Sequence, residues 1–213
     1  MIPWGERASP PSRRAAPLTA TPGAHRAGAT AVRRAAVKTI LAGGRVDVVK
    51  GNEGEIRAAL AAAGEDAPQQ RGVDSGPSAL DEAGRGRLAA ALAARERCVV
   101  VLTGAADVVS DGHRTFAVRH GHELLGQVTG TGCCLGTAIS AAVAVHPDDK
   151  LISCVAAMLL YEGAAEVAAR RDDVRGPGSF VPAFLDELAR CRRAAAEGDM
   201  SWLGEPRVER LDI

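Results

Sequence analysis

The 213-residue chain is long enough for one buried core, and aromatic residues supply only 3% of a sequence that is 46% hydrophobic, so that core must be built from Ala, Val, Leu and Ile. Lys plus Arg and Asp plus Glu number 26 each, a net charge of zero. This balance excludes the global basicity that draws a chain to nucleic acid or anionic membranes, and a small-molecule partner is expected instead.

Residues 1–26 stand apart, holding five of the chain's 11 prolines, while Arg7, Arg13 and Arg14 meet only Glu6. That composition predicts an unstructured leader. A transit peptide shares the Arg- and Ser-rich, acid-poor character, but the prolines would spoil its amphipathic helix. Residues 27–213 read as one domain. Val32, Val37, Ile40 and Leu41 recur at helical spacing up to Gly43-Gly44. VDVV (Val46–Val49) predicts a short buried strand, and KGN leads from it into the helical EGEIRAALAAAG. Glu65–Ser78 has the Gly, Pro and Gln content of a loop, and Leu80–Arg97 reads as a helix. CVVVLTG (Cys98–Gly104) is the strongest strand signal. In DVVSDGHRTFAVRHG, Asp111-Gly112 between two alternating runs predicts a hairpin, and the following GHELLGQVT is weakly strand-like. Three helices close the chain, at Thr131–Val145, Asp148–Arg171 and about Phe180–Ala196, the second with acids at its start and arginines at its end. The alternation of strands and helices is α/β.

The apolar runs around Leu135–Val145 and Leu151–Tyr161 are short for a bilayer and read as buried helices. Five cysteines without CxxC or paired metal spacing point to free thiols in a reducing, cytoplasmic compartment. The histidines have no ligand-spaced neighbours and are assigned no metal role.

Chemistry concentrates in four places. TGTGC sets Gly130, Thr131 and Gly132 at a helix mouth, where unpaired amides and the positive end of the dipole suit a phosphate. Cys133 in that field is a candidate to meet a substrate hydroxyl, although a tight turn with a buried structural cysteine explains the same letters. A dinucleotide fingerprint fits the glycines poorly, lacking the strand before and the acid after. No Walker loop occurs. Lys50, at the end of a strand, is placed for phosphate oxygens. Asn52 and Glu55 could hold waters around Mg²⁺, or could simply cap the next helix. Thr103 ends the best strand, where ligands sit in open α/β sheets, and a plain turn is equally consistent. GPGSF before the last helix reads as a nucleotide-facing loop or a helix start.

Taken in order, Asp47-Val-Val-Lys-Gly-Asn52-x-x-Glu55-Ile56, Val101-Leu-Thr-Gly104-x-x-Asp107-x-Val-x-Asp111-Gly112, Gly121-His122, Val128-Thr-Gly-Thr-Gly-Cys133 and Gly176-Pro-Gly-Ser-Phe180 resemble the hydroxyethylthiazole kinase family. The resemblance runs from about Gly28 to Leu188. The Lys-Thr-Ile-Leu-Ala-Gly-Gly and Arg71–Gly76 stretches look like the fungal form, commonly fused behind a thiamine-phosphate synthase domain. It implies a ribokinase-like three-layer sandwich and ATP-dependent phosphorylation of the primary alcohol of 4-methyl-5-(2-hydroxyethyl)thiazole with Mg²⁺. By position it implies Cys133 as the base-like residue and Gly130, Thr131 and Gly132 as an anion hole. Gly130 also touches substrate, Lys50 and Thr103 contact ATP, and Asn52 and Glu55 organise Mg²⁺ through water. A homotrimer with sites between subunits is implied too. Two departures accompany it. The family's first strands are missing or replaced by the Pro/Arg leader, and Thr21–Arg26 stands where the family has Asp-Pro-Val-Gly with its metal-facing aspartate. The expectation is a partial kinase domain. A non-catalytic nucleotide-binding remnant, or a fragment of a bifunctional synthase/kinase, is the alternative reading.

Overall fold

A computed structural model describes residues 31–62 and 80–213; the expected leader and the Glu65–Ser78 loop lie outside the described residues. Five strands form one mixed sheet in the order β1 (Val48–Asn52), β2 (Val99–Thr103), β3 (Asp107–Ser110), β4 (Thr115–Val118) and β5 (Val208–Arg210). β1 and β2 are parallel, with Asn52 opposite Thr103, so both carboxyl ends finish side by side. The remaining pairs are antiparallel.

Alternation along the strands fills two cores. Val49, Val100, Leu102 and Val108 face helices α1 (Ala31–Ala42), α2 (Glu53–Ala62) and α3 (Glu82–Glu96). Val48, Val101, Val109 and Val118 face α5 (Thr131–Val145), α6 (Lys150–Ala169) and α7 (Pro177–Ala196). Side chains on successive strand residues point to opposite faces, so short Val-rich strands serve both layers at once. This is the expected α/β sandwich, helices on either side of a sheet. With few aromatics available, three of them join α6 to α7: Tyr161 meets Phe184 edge-on at 4.8 Å, and Phe184 stacks on Phe180 at 5.5 Å.

Several expectations need correction. The first strand is Val48–Asn52 rather than Val46–Val49, because pairing with β2 rather than hydrophobicity sets its limits; Lys50 is therefore its middle residue, not the one at its end. GHELLGQVT forms a short helix, α4 (Leu124–Gln127), and no strand. The hairpin is as expected, but its tip is Gly112-His113, with the Asp111 N–H bonded to the Arg114 carbonyl and Gly112 at φ +89°. Val32 is 79% exposed and Ile40 48%, so only part of the apolar set on α1 turns inward. α6, at 20 residues, is long and apolar enough by length and composition to cross a membrane, contrary to the sequence estimate, yet most of it is buried between the sheet, α5 and α7. β5 and a 3-10 turn at Ser201–Leu203 carry no strong sequence signal. β5 pairs with β4, and Trp202 and Leu203 pack against α6 at Gly163.

Candidate active site

β1 and β2 deliver the first residues. Gly51 is followed by Asn52, whose side chain accepts the Glu55 N–H at 2.9 Å while Glu55 Oε2 accepts the Asn52 N–H at 2.8 Å. This reciprocal pair starts α2, so the capping reading of these residues holds. The Glu55 side chain folds back over β1 so closely that a Cβ on residue 51 would meet its Cβ at 2.8 Å, which only glycine permits. Thr103, half-buried, ends β2 beside Asn52. The chain then turns through Gly104, whose N–H donates to Asp107 Oδ1 at 2.6 Å.

Across the sheet edge stands the mouth of α5. Gly130 occupies the left-handed region at φ +107°, ψ −19°, and its carbonyl accepts the helix's first backbone bond, from the Cys134 N–H. The amides of Thr131 and Gly132 precede that bond, at the positive end of the helix dipole. The bend is held from three sides. Thr131 Oγ1 donates to the carbonyls of Leu125 and Val128, at 2.7 and 3.0 Å, and Tyr161 from α6 donates its hydroxyl to the Thr131 carbonyl at 2.7 Å. Cys133 is exposed, as is Cys134, so the buried structural thiol is excluded; Cys98, Cys154 and Cys191 are the buried ones, and burial pushes Cys98 and Cys154 up to about 12.

Lys50 joins the two halves. It is 4% exposed, and its Nζ lies 3.3 Å from where a Cβ on Gly132 would sit. Burial lowers the pKa of its ammonium, opposed by the charges of Glu55, Asp107 and Cys133. The sequence-derived residues thus converge from β1, β2 and α5 on the carboxyl ends of the parallel strands. Lys50 does so from mid-strand, with its side chain turned to the α5 face.

Sequence reasoning gave no role to three buried groups at this end of the sheet. Asp107 opens β3, Glu162 faces it from α6, and Arg85 reaches over from the first turn of α3. Burial raises the pKa of both carboxyls, Glu162 to about 11, and the charge of Asp107 raises Glu162 further. On Asp107 the Gly104 amide, Arg85 and Lys50 favour the anion and oppose the effect of burial. An acid set directly after the apolar run Leu151–Tyr161 and before Gly-Ala-Ala is the sequence signal that could have found Glu162. Gly176-Pro-Gly-Ser-Phe180 starts α7, with Ser179 Oγ accepting the Arg175 N–H at 2.7 Å, and Phe180 is buried. A cleft of about 330 Å³ lies at the opposite end of β1 and β2, beside Asp47, Arg97, Asp111 and Lys150. Several of its charges are paired internally, Lys150 with Asp47 at 2.7 Å and Arg114 with Asp111 and Asp149. Among the described residues no group of three or more His, Cys, Asp or Glu is arranged to hold a metal ion.

Residues 12–193 match the profile of the hydroxyethylthiazole kinase family. The chain is 37% identical over 191 residues to a probable thiamine biosynthetic bifunctional enzyme of Schizosaccharomyces pombe, an alignment covering 87% of this chain and 36% of that one. It is 43% identical over 162 residues to a hydroxyethylthiazole kinase of Pyrococcus furiosus, covering 76% and 57%. The structure superposes on that of the hydroxyethylthiazole kinase protein of Pyrococcus horikoshii with a TM-score of 0.71 and 36% identity, over 88% of this chain and 63% of the other. The chain thus spans between about a third and three fifths of the length of these relatives.

Proposed function

The chain belongs to the hydroxyethylthiazole kinase family, and from that premise we propose that it transfers the γ-phosphoryl group of ATP to the primary alcohol of 4-methyl-5-(2-hydroxyethyl)thiazole, a step of thiamine biosynthesis. The observation that carries this reading is the Lys50 ammonium held against Gly132, which brings a buried cation to the mouth of α5. Phosphoryl transfer asks a protein chiefly for positioning and for stabilisation of charge on the equatorial oxygens. The amides of the Gly130–Gly132 bend supply donors that need no reorganisation, because Tyr161 and Thr131 lock the bend before substrate arrives. Gly130 borders the thiazole, and Lys50 and Thr103 receive the polyphosphate.

The exposed Cys133 sulfur lies one residue further along the helix. There it accepts the proton of the attacking hydroxyl as the new oxygen–phosphorus bond forms and the bond to the ADP oxygen breaks. Asn52 and Glu55 spend their cap contacts on each other and form no resident metal cluster. They fit a role as outer ligands, holding waters of a Mg²⁺ carried in on the nucleotide. That ion would supply charge neutralisation on the phosphates. Assembly into a homo-oligomer, a trimer, belongs to the same proposal and is read by analytical ultracentrifugation.

The test is ADP release coupled to NADH oxidation, with ATP, Mg²⁺ and either the thiazole alcohol or hydroxymethylpyrimidine. Turnover that depends on the thiazole alcohol is expected. ATP binding without turnover would replace this reading by a nucleotide-binding role, and turnover only on the pyrimidine would change the substrate.

A further inference from the structure

We infer that Arg85 forms, with Lys50, a two-cation seat for the nucleotide's polyphosphate at the carboxyl ends of β1 and β2, an inference that rests on the kinase reading above. Arg85 is carried by the first turn of α3, a helix that runs back along the sheet and so begins at the end where the parallel strands finish. Its side chain is unusual for a guanidinium. Only 7% of the residue is exposed, and Nη1 donates to the Ala106 carbonyl at 2.5 Å. Nη2 is fully buried with no hydrogen-bond partner.

Leaving a charged donor buried and unpaired is costly, so the arrangement is expected to answer an acceptor that comes and goes. The guanidinium lies against Gly104, the exposed residue just after Thr103, and a Cβ there would come within 2.8 Å of Arg85 Cζ. Glycine at 104 is what lets the cation reach the strand ends. Both Arg85 and Lys50 act electrostatically on the Asp107 carboxylate, so the two cations lie near one anion at this end of the sheet. Asp107 Oδ1 accepts the Gly104 N–H, and no bond from Nη2 reaches the carboxylate.

An acceptor suited to a planar fork beside a second cation carries several oxygens and more than one negative charge. A polyphosphate meets that description, and ligands of open α/β sheets sit beyond the carboxyl ends of the strands. The uncharged thiazole alcohol, with only its hydroxyl oxygen and ring nitrogen to accept, does not.

The test uses the full chain and isothermal titration with inorganic tripolyphosphate, ATP and adenosine. Arg85→Gln is expected to weaken tripolyphosphate and ATP about tenfold or more while leaving adenosine unchanged, the scale of one hydrogen bond to a charged group. Gly104→Ala keeps the charge but occupies its place, and is expected to weaken the same two ligands; it decides the matter if Arg85→Gln does not fold. Unchanged tripolyphosphate affinity in a folded variant, with a lowered melting temperature, would mean that Arg85 only braces the Ala106 carbonyl, and the seat would be rejected. Affinity lost on substitution in a chain that turns over no thiazole alcohol would support the seat and reject the kinase reading alone.

Discussion

Two neighbouring glycines at the mouth of α5 are expected to fail in opposite ways when each becomes alanine. Gly130 sits at φ +107°, and a Cβ there would meet nothing within 4 Å. The cost of Gly130→Ala is therefore backbone strain alone, about 1–2 kcal/mol for a non-glycine residue in the left-handed region. In a chain of this size that lowers the melting temperature by about 2–8 °C, and relaxation of the bend turns the anion-facing amides and reduces kcat. Gly132 lies inside the helix at negative φ, where alanine is favoured by up to about 1 kcal/mol. Its new Cβ would instead press on Lys50 Nζ, 3.3 Å away. Gly132→Ala is expected to fold at least as stably as the parent but to raise KM for ATP about tenfold, the scale of a displaced charged contact. Differential scanning calorimetry and steady-state kinetics on the two variants make the comparison. A melting temperature unchanged in Gly130→Ala, or an unchanged KM in Gly132→Ala, would refute the geometry assigned to this bend.

Cys133→Ala is expected to lower kcat far more than ATP affinity, measured by kinetics beside titration; equal losses would make the thiol structural. Glu162 has its carboxyl pushed up to about 11 by burial and by Asp107, from an ordinary 4.5. A raised carboxyl contributes stability that is full below pH 4.5 and is lost as pH climbs towards 11, by at most about 1.4 kcal/mol per pH unit. Glu162→Gln keeps the side chain's shape without a titrating group and removes that loss, so its melting temperature should rise relative to the parent between pH 5 and pH 8; parallel curves would show that Glu162 is not a buried acid. Gly163→Ala places a Cβ 2.8 Å from the Trp202 ring and 3.0 Å from Leu203. It is expected to cost about 1–3 kcal/mol and to expose Trp202 to quenchers. An unchanged tryptophan spectrum would count against the packing of the Ser201–Leu203 turn on α6.

The sequence by itself determined the layers and the places where chemistry gathers. Continuous apolar runs such as Val99–Leu102 and long Ala/Leu helices declare strand or helix through local sterics and burial, and the helix Thr131–Val145 was legible to its ends. Gly130 announced a helix mouth, because few other residues suit its positive φ. Asn52 and Glu55 announced their cap for the same local reason, three residues apart on one turn.

Tertiary structure decided what depends on partners distant in the chain. β5 exists because β4 offers it an edge, not because Val208–Arg210 favours extension. GHELLGQVT became helical, and β1 took its limits from the register of β2. Which face a buried charge points to cannot be read from its neighbours in sequence. Lys50 turns to α5, Arg85 crosses the strand ends from α3, and Asp107 and Glu162 act on each other only because β3 and α6 bring them together away from water.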